Sequence, residues 1–362
     1  MAERRPPALR IGDLTAPLPI IQGGMGVGVS LSGLAGAVAA AGGIGVIACA
    51  GIGMAEPDFF QNFLAANTRA LRAEIRRAKA LSRQGVLGVN IMVALANFAE
   101  LVTAAIDEGI DVIFSGAGLP LDLPQYLQGG GRTKLVPIVS SGRAARIIAR
   151  RWTDRYAHPP DAVVVEGPRA GGHLGFKLEQ IDDPAYALEV LLADVLTEIA
   201  PFAARAGRPI PVIAGGGIYT GADIHRFLQL GASGVQMATR FVTTHECDAS
   251  VGFKEAYLRS RPEDLVIIKS PVGMPGRAIR NQFIDDLNAG KKVPFTCPYH
   301  CIVTCDYATS PYCIALALIN AQRGRMGHGF AFAGDNAHRA TVVVSVQELV
   351  NTLLAEYHAA SA

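Results

Sequence analysis

Eight short runs of nearly unbroken apolar residues constrain this chain more than any other feature. They are Pro19–Met25, Ile44–Cys49, Val86–Met92, Asp111–Ser115, Lys134–Ser140, Asp161–Glu166, Pro211–Gly215 and Gly234–Thr239. Such runs of Val, Ile, Leu and Ala suit parallel strands buried on both faces, because a half-exposed strand would alternate apolar with polar residues. Between them lie Leu31–Ala41, Asp58–Arg83, Asn97–Glu108, Gly142–Thr153, Ala185–Ala206 and Gly221–Leu230, amphipathic and long enough for crossover helices. The link after the fourth run has no such stretch. The pattern predicts an α/β fold, a (β/α)8 TIM-type barrel, in preference to an open doubly wound sheet. Because such a barrel takes roughly 250 residues, it is placed at residues 1–262, with a cysteine-containing C-terminal extension at 263–362. After about Leu265 the prolines at 271, 275, 294, 298 and 311 break the βα rhythm. The extension is expected to end in a helix near Ser345–His358 that packs on the barrel.

Polar and glycine residues gather at one end of the runs: Gln22–Met25, Asn90, Ser115-Gly116, Ser140-Ser141, Glu166, Gly215–Gly217 and Ala238-Thr239. In a barrel that end is the catalytic face. Residues Leu14 to Ala55 carry no charge, but Gly42-Gly43 interrupts them where a membrane helix would have its centre. Lys and Arg total 33 against 31 Asp and Glu, a net charge of +2, which gives no electrostatic footprint for nucleic acid or an anionic membrane. The start, MAERRPPALR, lacks the apolar run of a secretory signal. The expectation is a cytoplasmic enzyme acting on a small molecule, with self-association as a homodimer left open.

Pro211-Val-Ile-Ala-Gly-Gly-Gly-Ile-Tyr-Thr-Gly is the strongest local motif, a buried strand running into three glycines and then a helix. Glycines let backbone approach a ligand closely, and free N–H groups at a helix start attract anions. With Met237-Ala238-Thr239 ending the next strand, Gly215, Gly216 and Gly217 make the usual barrel phosphate site; a glycine turn without ligand is the alternative. Gly43-Ile-Gly-Val-Ile-Ala has dinucleotide-binding spacing, but it follows a helix and opens a strand, the reverse of what that motif needs. In Asp161-Ala-Val-Val-Val-Glu-Gly-Pro-Arg-Ala-Gly-Gly-His-Leu-Gly a strand delivers Glu166, and glycines flank His173. A histidine there can exchange a proton near neutral pH while a planar ring lies against the loop, or it can simply bond the backbone.

Gln22-Gly-Gly-Met25, Gly88-Val-Asn90-Ile-Met, Glu166-Gly, Ala170-Gly-Gly-His173-x-Gly, Ala214-Gly-Gly-Gly-Ile218 and Val235-Gln-Met-x-Thr-Arg-Phe241 together resemble the nitronate monooxygenase (2-nitropropane dioxygenase) family, close to the FMN-dependent enoyl-acyl-carrier-protein reductases. The likeness spans roughly residues 15 to 280. It implies one FMN at the catalytic face, with Gly24 and Met25 lining the ring system, Asn90 bonding it and Gly171-Gly172 passing beside it. Gly216, Gly217, Ala238 and Thr239 would hold the phosphate, with Gln236 and Met237 nearby. Gly23, Glu166 and Gly215 complete the candidate cofactor set, and His173 matches the family's active-site histidine. The implied reaction is oxidation of alkyl nitronates by dioxygen to a carbonyl compound and nitrite. The alternative is an NAD(P)H-dependent enoyl thioester or quinone reductase. Three departures keep the substrate open: Ala238 where glycine is frequent, Gly23-Gly24 where many nitronate monooxygenases have Ala-Pro, and Pro168-Arg169 in place of acidic residues.

Cys297, Cys301, Cys305 and Cys313 fall in one segment with C-x3-C-x3-C-x7-C spacing. In a cytosolic chain such clustering points to metal or redox chemistry, here an iron–sulfur cluster or a zinc site. The spacing matches neither the usual zinc pairs nor the common ferredoxin run, so cysteines without metal remain an alternative. A cluster beside FMN would make a third reading, an electron carrier or redox sensor. Ser270–Arg277 reads as a possible substrate lid that brings Met274 and Arg277 over the flavin. Gly334–Arg339 could return to the barrel; His338 is given no role.

Overall fold

The computed structural model describes residues 6–127, 131–297 and 300–362. The basic start of the chain and residues 298–299 of the cysteine segment lie outside that set. The eight apolar runs form parallel strands: β1 Ile20–Gln22, β2 Gly45–Ala48, β3 Leu87–Asn90, β4 Val112–Ser115, β5 Lys134–Val139, β6 Val163–Glu166, β7 Val212–Gly215 and β8 Gly234–Met237. Each pairs with its sequence neighbour, β8 returns to β1, and an Ile21–Ile44 bridge closes the seam between β1 and β2. The result is the TIM-type barrel that the sequence predicts.

The core shows why the runs are apolar throughout. Ile21, Val46, Phe114, Val136, Val164 and Ile213 pack together inside the barrel. Their strand neighbours Ile47, Ile113, Leu135, Val163, Val165 and Val212 belong to a second cluster shared with the surrounding helices. Successive side chains point to opposite faces of a strand, so burial on both faces removes the alternation. Leu9, Ile11 and Ala16, from the N-terminal hairpin Leu9–Ile11/Leu14–Ala16, join the inner cluster and plug the end remote from the glycine loops.

Helices α1 Ser32–Ala40, α2 Phe63–Leu81, α3 Phe98–Asp107, α4 Gly142–Tyr156, α5 Leu188–Ala206 and α6 Gly221–Gln229 make the crossovers, and α7 Thr239–Val242 and α8 Val251–Arg259 follow β8. Between β4 and β5 a 3-10 turn, Leu123–Tyr126, stands where a helix would be. Gly116, Gly118, Pro120 and Pro124 explain this, since neither residue type sustains a helix. Trp152 of α4 donates to the Pro120 carbonyl at 2.8 Å and fixes this segment against the barrel.

The extension begins with an antiparallel hairpin, β9 Leu265–Lys269 and β10 Pro275–Ile279. It continues through α9 Gln282–Asn288, an irregular stretch, α10 Ile314–Gln322 and α11 Val346–Ser361. Ser345 caps α11 in a reciprocal box with Glu348. This last helix lies against the barrel: Glu356 accepts from the Gly221 N–H at 2.7 Å and pairs with Arg240 at 3.2 Å.

Candidate active site

A cavity of about 430 Å³ opens at the C-terminal ends of the strands, between the barrel rim and the extension. The first wall comes from β1. Gln22 is buried and bonds Val46 in both directions, so it stitches β1 to β2 and is not free to act as a ligand. Gly23 donates to the Met237 carbonyl at 2.9 Å and Gly24 crosses over Asn90, where any Cβ would collide with the Asn90 Cβ. Gly23, Gly24, Met25, Asn90 and Met92 line the cavity.

The opposite wall carries Gly216, Gly217, Gln236, Met237, Ala238 and Thr239, all of which line the cavity. Gly216 has φ +94°, and a Cβ there would sit 2.7 Å from the Gly167 carbonyl oxygen; only glycine serves. Gly215 is the exception among the candidates. It is the last residue of β7, its carbonyl accepts from the Gly167 N–H at 2.9 Å, and it does not line the cavity. The ladder engages it, leaving the next two glycines to face the space.

Glu166 ends β6 and lines the cavity together with Gly171, Gly172 and His173. Burial pushes the Glu166 carboxyl up to about 7. His173 follows the opposite logic, since burial disfavours the cation and lowers its imidazole to about 4. Gly172-His173 forms a short third strand on β10, with His173 opposite Gly276. The His173 Nε2 lies 2.8 Å from the Ser270 Oγ, and Phe332 meets the ring edge-on at 4.9 Å between centroids. The imidazole is thus neutral near pH 7 and fixed on two sides.

Ser270, Phe332 and Asp335 are site residues that the sequence did not single out for a role. Ser270 is 3% exposed and sits at the turn between β9 and β10. Tyr257 holds the Phe332 backbone, its hydroxyl donating to the carbonyl at 2.5 Å. Residues 334–336 do return to the barrel: Gly334 donates to Thr239 Oγ1 at 3.1 Å and Asn336 to the Gly217 carbonyl at 2.7 Å. His338 only meets the Asp335 carbonyl, at 3.1 Å.

Two parts of the extension are candidates for a role. Ser270–Arg277, the candidate lid, forms the turn and second strand of a three-stranded sheet that includes His173. Met274 lines the cavity, but Arg277 is buried behind it, donating to the Pro168 carbonyl at 3.0 Å and pairing with Asp335 at 3.3 Å. The four cysteines do share one void, of about 10 Å³, with His300 and Tyr307. All four are free thiols, and among the described residues no group of three or more His, Cys, Asp or Glu is placed to hold a metal ion. The expectation of iron–sulfur or zinc on Cys297, Cys301, Cys305 and Cys313 therefore finds no support there. The first three lie on irregular backbone, without a helix or hairpin to aim them at a common centre. Burial, and then the neighbouring thiols, pushes Cys301 up to about 12, so it rests protonated.

No helix among the described residues is long and apolar enough to cross a membrane. A family model described as nitronate monooxygenase matches residues 10–105 and 86–356. A carboxyl-CoA dehydrogenase of Mycobacterium tuberculosis, named for an octahydro-indene carboxyl-CoA, is 30% identical over 274 residues, which is 76% of this chain and 66% of that protein. A probable nitronate monooxygenase of Staphylococcus aureus (strain Newman) is 34% identical over 128 residues, 35% of this chain and 34% of its own length. Among solved structures, FabK from Thermotoga maritima superposes with TM-score 0.72 at 27% identity over 95% of this chain and 94% of its own. Nitroalkane oxidase from Streptomyces ansochromogenes does so with TM-score 0.70 at 25% identity over 95% and 97%. The family match covers the barrel, the histidine loop and most of the extension that walls the cavity, so this chain belongs to the nitronate monooxygenase family of flavin-dependent oxidoreductases.

Proposed function

We propose that this enzyme uses FMN to oxidise an alkyl nitronate with dioxygen, releasing a carbonyl compound and nitrite. The reading is supported chiefly by His173, an uncharged imidazole held 2.8 Å from Ser270 in the wall of a largely apolar cavity.

The residues present fit the cofactor. The N–H groups of Gly216, Gly217 and Ala238 take no part in the hydrogen bonds found among the described residues, which leaves them for a phosphate. The glycine crossing at Gly24 leaves a flat surface beside Asn90 for a planar ring. Held by these residues, FMN would supply the redox chemistry that links substrate oxidation to dioxygen. Overall, two nitronate anions and one O2 balance two carbonyl compounds and two nitrites.

The protein's own contribution is orientation, proton handling and dryness. With Nε2 engaged by Ser270, the other ring nitrogen of His173 remains to bond a nitro group or take the α-proton of a neutral nitroalkane. Met25, Met92, Met274 and Phe332 line the space and keep water from the reacting carbon. Oxygen uptake with a nitronate and no nicotinamide tests the reading, and unchanged turnover in a flavin-loaded His173→Ala variant would remove the histidine's role.

A second reading, NAD(P)H-dependent reduction of an enoyl thioester or quinone, draws on one observation. The cavity extends past His173 along apolar side chains of α2 and α10, more room than a short nitronate fills. Anaerobic bleaching of the flavin by NADH or NADPH would favour it.

A further inference from the structure

We infer that the cavity has an apolar arm, completed by the C-terminal extension, which holds a hydrocarbon chain attached to the reacting carbon of the substrate. The inference rests on the flavin-oxidoreductase reading but not on which substrate head group reacts.

The cavity lining is of two chemical kinds. Glu166, Arg169, His173 and Asp335 are its polar and charged members. Val27, Phe59, Phe63, Ile302, Leu318 and Ile319 are apolar. Val27, Phe59, Phe63 and Ile319 belong to one packed cluster, with Leu318 and Cys301 against it. These side chains are therefore neighbours forming a continuous wall. Half of that wall comes from barrel loops and half from the extension.

Helix α10 shows what its apolar residues are for. Its first six residues, Ile-Ala-Leu-Ala-Leu-Ile, are all apolar, and Asn320 and Gln322 fall in its last turn. Ile314 and Ala317 fill the extension's own core with Phe283, Tyr312 and Phe330, which accounts for one face. Ala315, Leu318 and Ile319 line the cavity, and Ile314 reaches it as well. Apolar surface turned towards a cavity is unfavourable unless something apolar covers it.

The wall is built in advance. Ile302 bridges Leu95, the Val303 N–H donates to Ala94 at 2.9 Å, and the Ala96 N–H donates to Cys301 at 3.1 Å. At the far end of α10, Gln322 donates to Gly28 at 3.2 Å and Arg323 to Met54 at 3.0 Å. A recess pinned at both ends loses little freedom when a chain enters.

Each methylene removed from water favours binding by about fourfold. Long nitronates and acyl thioesters carry the same kind of chain, so binding is tested apart from turnover. With flavin-loaded enzyme, the affinity of unreactive n-alkyl carboxylates from acetate to decanoate is read from the perturbation of the flavin spectrum. Affinity should rise about fourfold per carbon before levelling. Ala315→Trp, which fills the arm, should flatten the series while acetate affinity and flavin content stay as in wild type. Leu318→Ala, which lengthens the arm, should move the plateau to longer chains and serves if the tryptophan variant does not fold. A flat wild-type series, or a slope indifferent to both substitutions, overturns the inference. Turnover of 1-alkyl nitronates with oxygen and of 2-enoyl thioesters with NADH then distinguishes the head groups. Loss of the nitronate reaction with the carboxylate slope intact would defeat the nitronate reading and leave the arm standing.

Discussion

The barrel rim and the extension meet the same cavity with different chemistry. The rim offers mostly backbone: Gly24, Gly216, Gly217 and the end of β8. The extension offers side chains: Ser270 on the imidazole, Phe332 against its edge, Asn336 on the Gly217 carbonyl and α10 along the apolar wall. Backbone can recognise a phosphate and a flat ring whatever the substrate, whereas side chains select what lies beside them. On the proposed function, the cofactor would be the rim's concern and the substrate would be shared with the extension.

The strongest test of that division is the rim's own reactive side chain. His173→Ala should lower turnover by about a hundredfold or more at unchanged flavin content, measured by oxygen uptake and absorbance. Loss of flavin instead would show that the two tasks are not separable. Gly216→Ala should do the reverse, weakening flavin retention by about 1 to 3 kcal/mol because of its positive φ and the Gly167 carbonyl; retention on a desalting column is the readout.

Glu166 and His173 give the site opposite pH slopes. The carboxyl, raised to about 7, makes the fold lose stability as pH rises from about 4.5 through 7. The imidazole, lowered to about 4, makes it lose stability as pH falls from about 6.5 towards 4. Glu166→Gln should therefore raise the stability of flavin-free protein by roughly 3 kcal/mol at pH 8 and little at pH 4. Thermal melts across pH read this directly.

Ser270→Ala tests how far the extension reaches into the chemistry. Loss of one buried partner should cost about tenfold in kcat, with Ser270→Thr restoring part of it and the pH profile shifting with the imidazole. Equal loss in both variants would reduce Ser270 to a packing residue. The smallest effect is expected at the cysteines. Chelator treatment should leave Tm within about a degree; a larger fall would show that Cys297, Cys301, Cys305 and Cys313 do gather on a metal.

The rim was legible because its causes are local. Burial on both faces erases alternation, and a close backbone approach demands glycine, so the strands and the glycine turn after β7 stand in the sequence itself. Gly215 misled because the ladder's last carbonyl looks no different from a free one until Gly167 is placed against it. The missing helix after β4 was half visible in its glycines and prolines. The contacts of the extension were not legible, since His173 pairs with Gly276 and Ser270 about a hundred positions later. Nothing in Ser270-Pro-Val-Gly distinguishes a turn that holds a histidine from a loop that swings. The cysteines suggested a shared centre and do share a void, but spacing along irregular chain does not determine where thiols point.

Gly334 and Asn336 complete the wall over Thr239 and Gly217, and α11 then braces α6 through Glu356. A nascent chain therefore presents a barrel with this face uncovered until these late residues have left the ribosome. On the flavin reading, a cofactor would enter from that side before the segment docks, and the closed segment would then slow its escape.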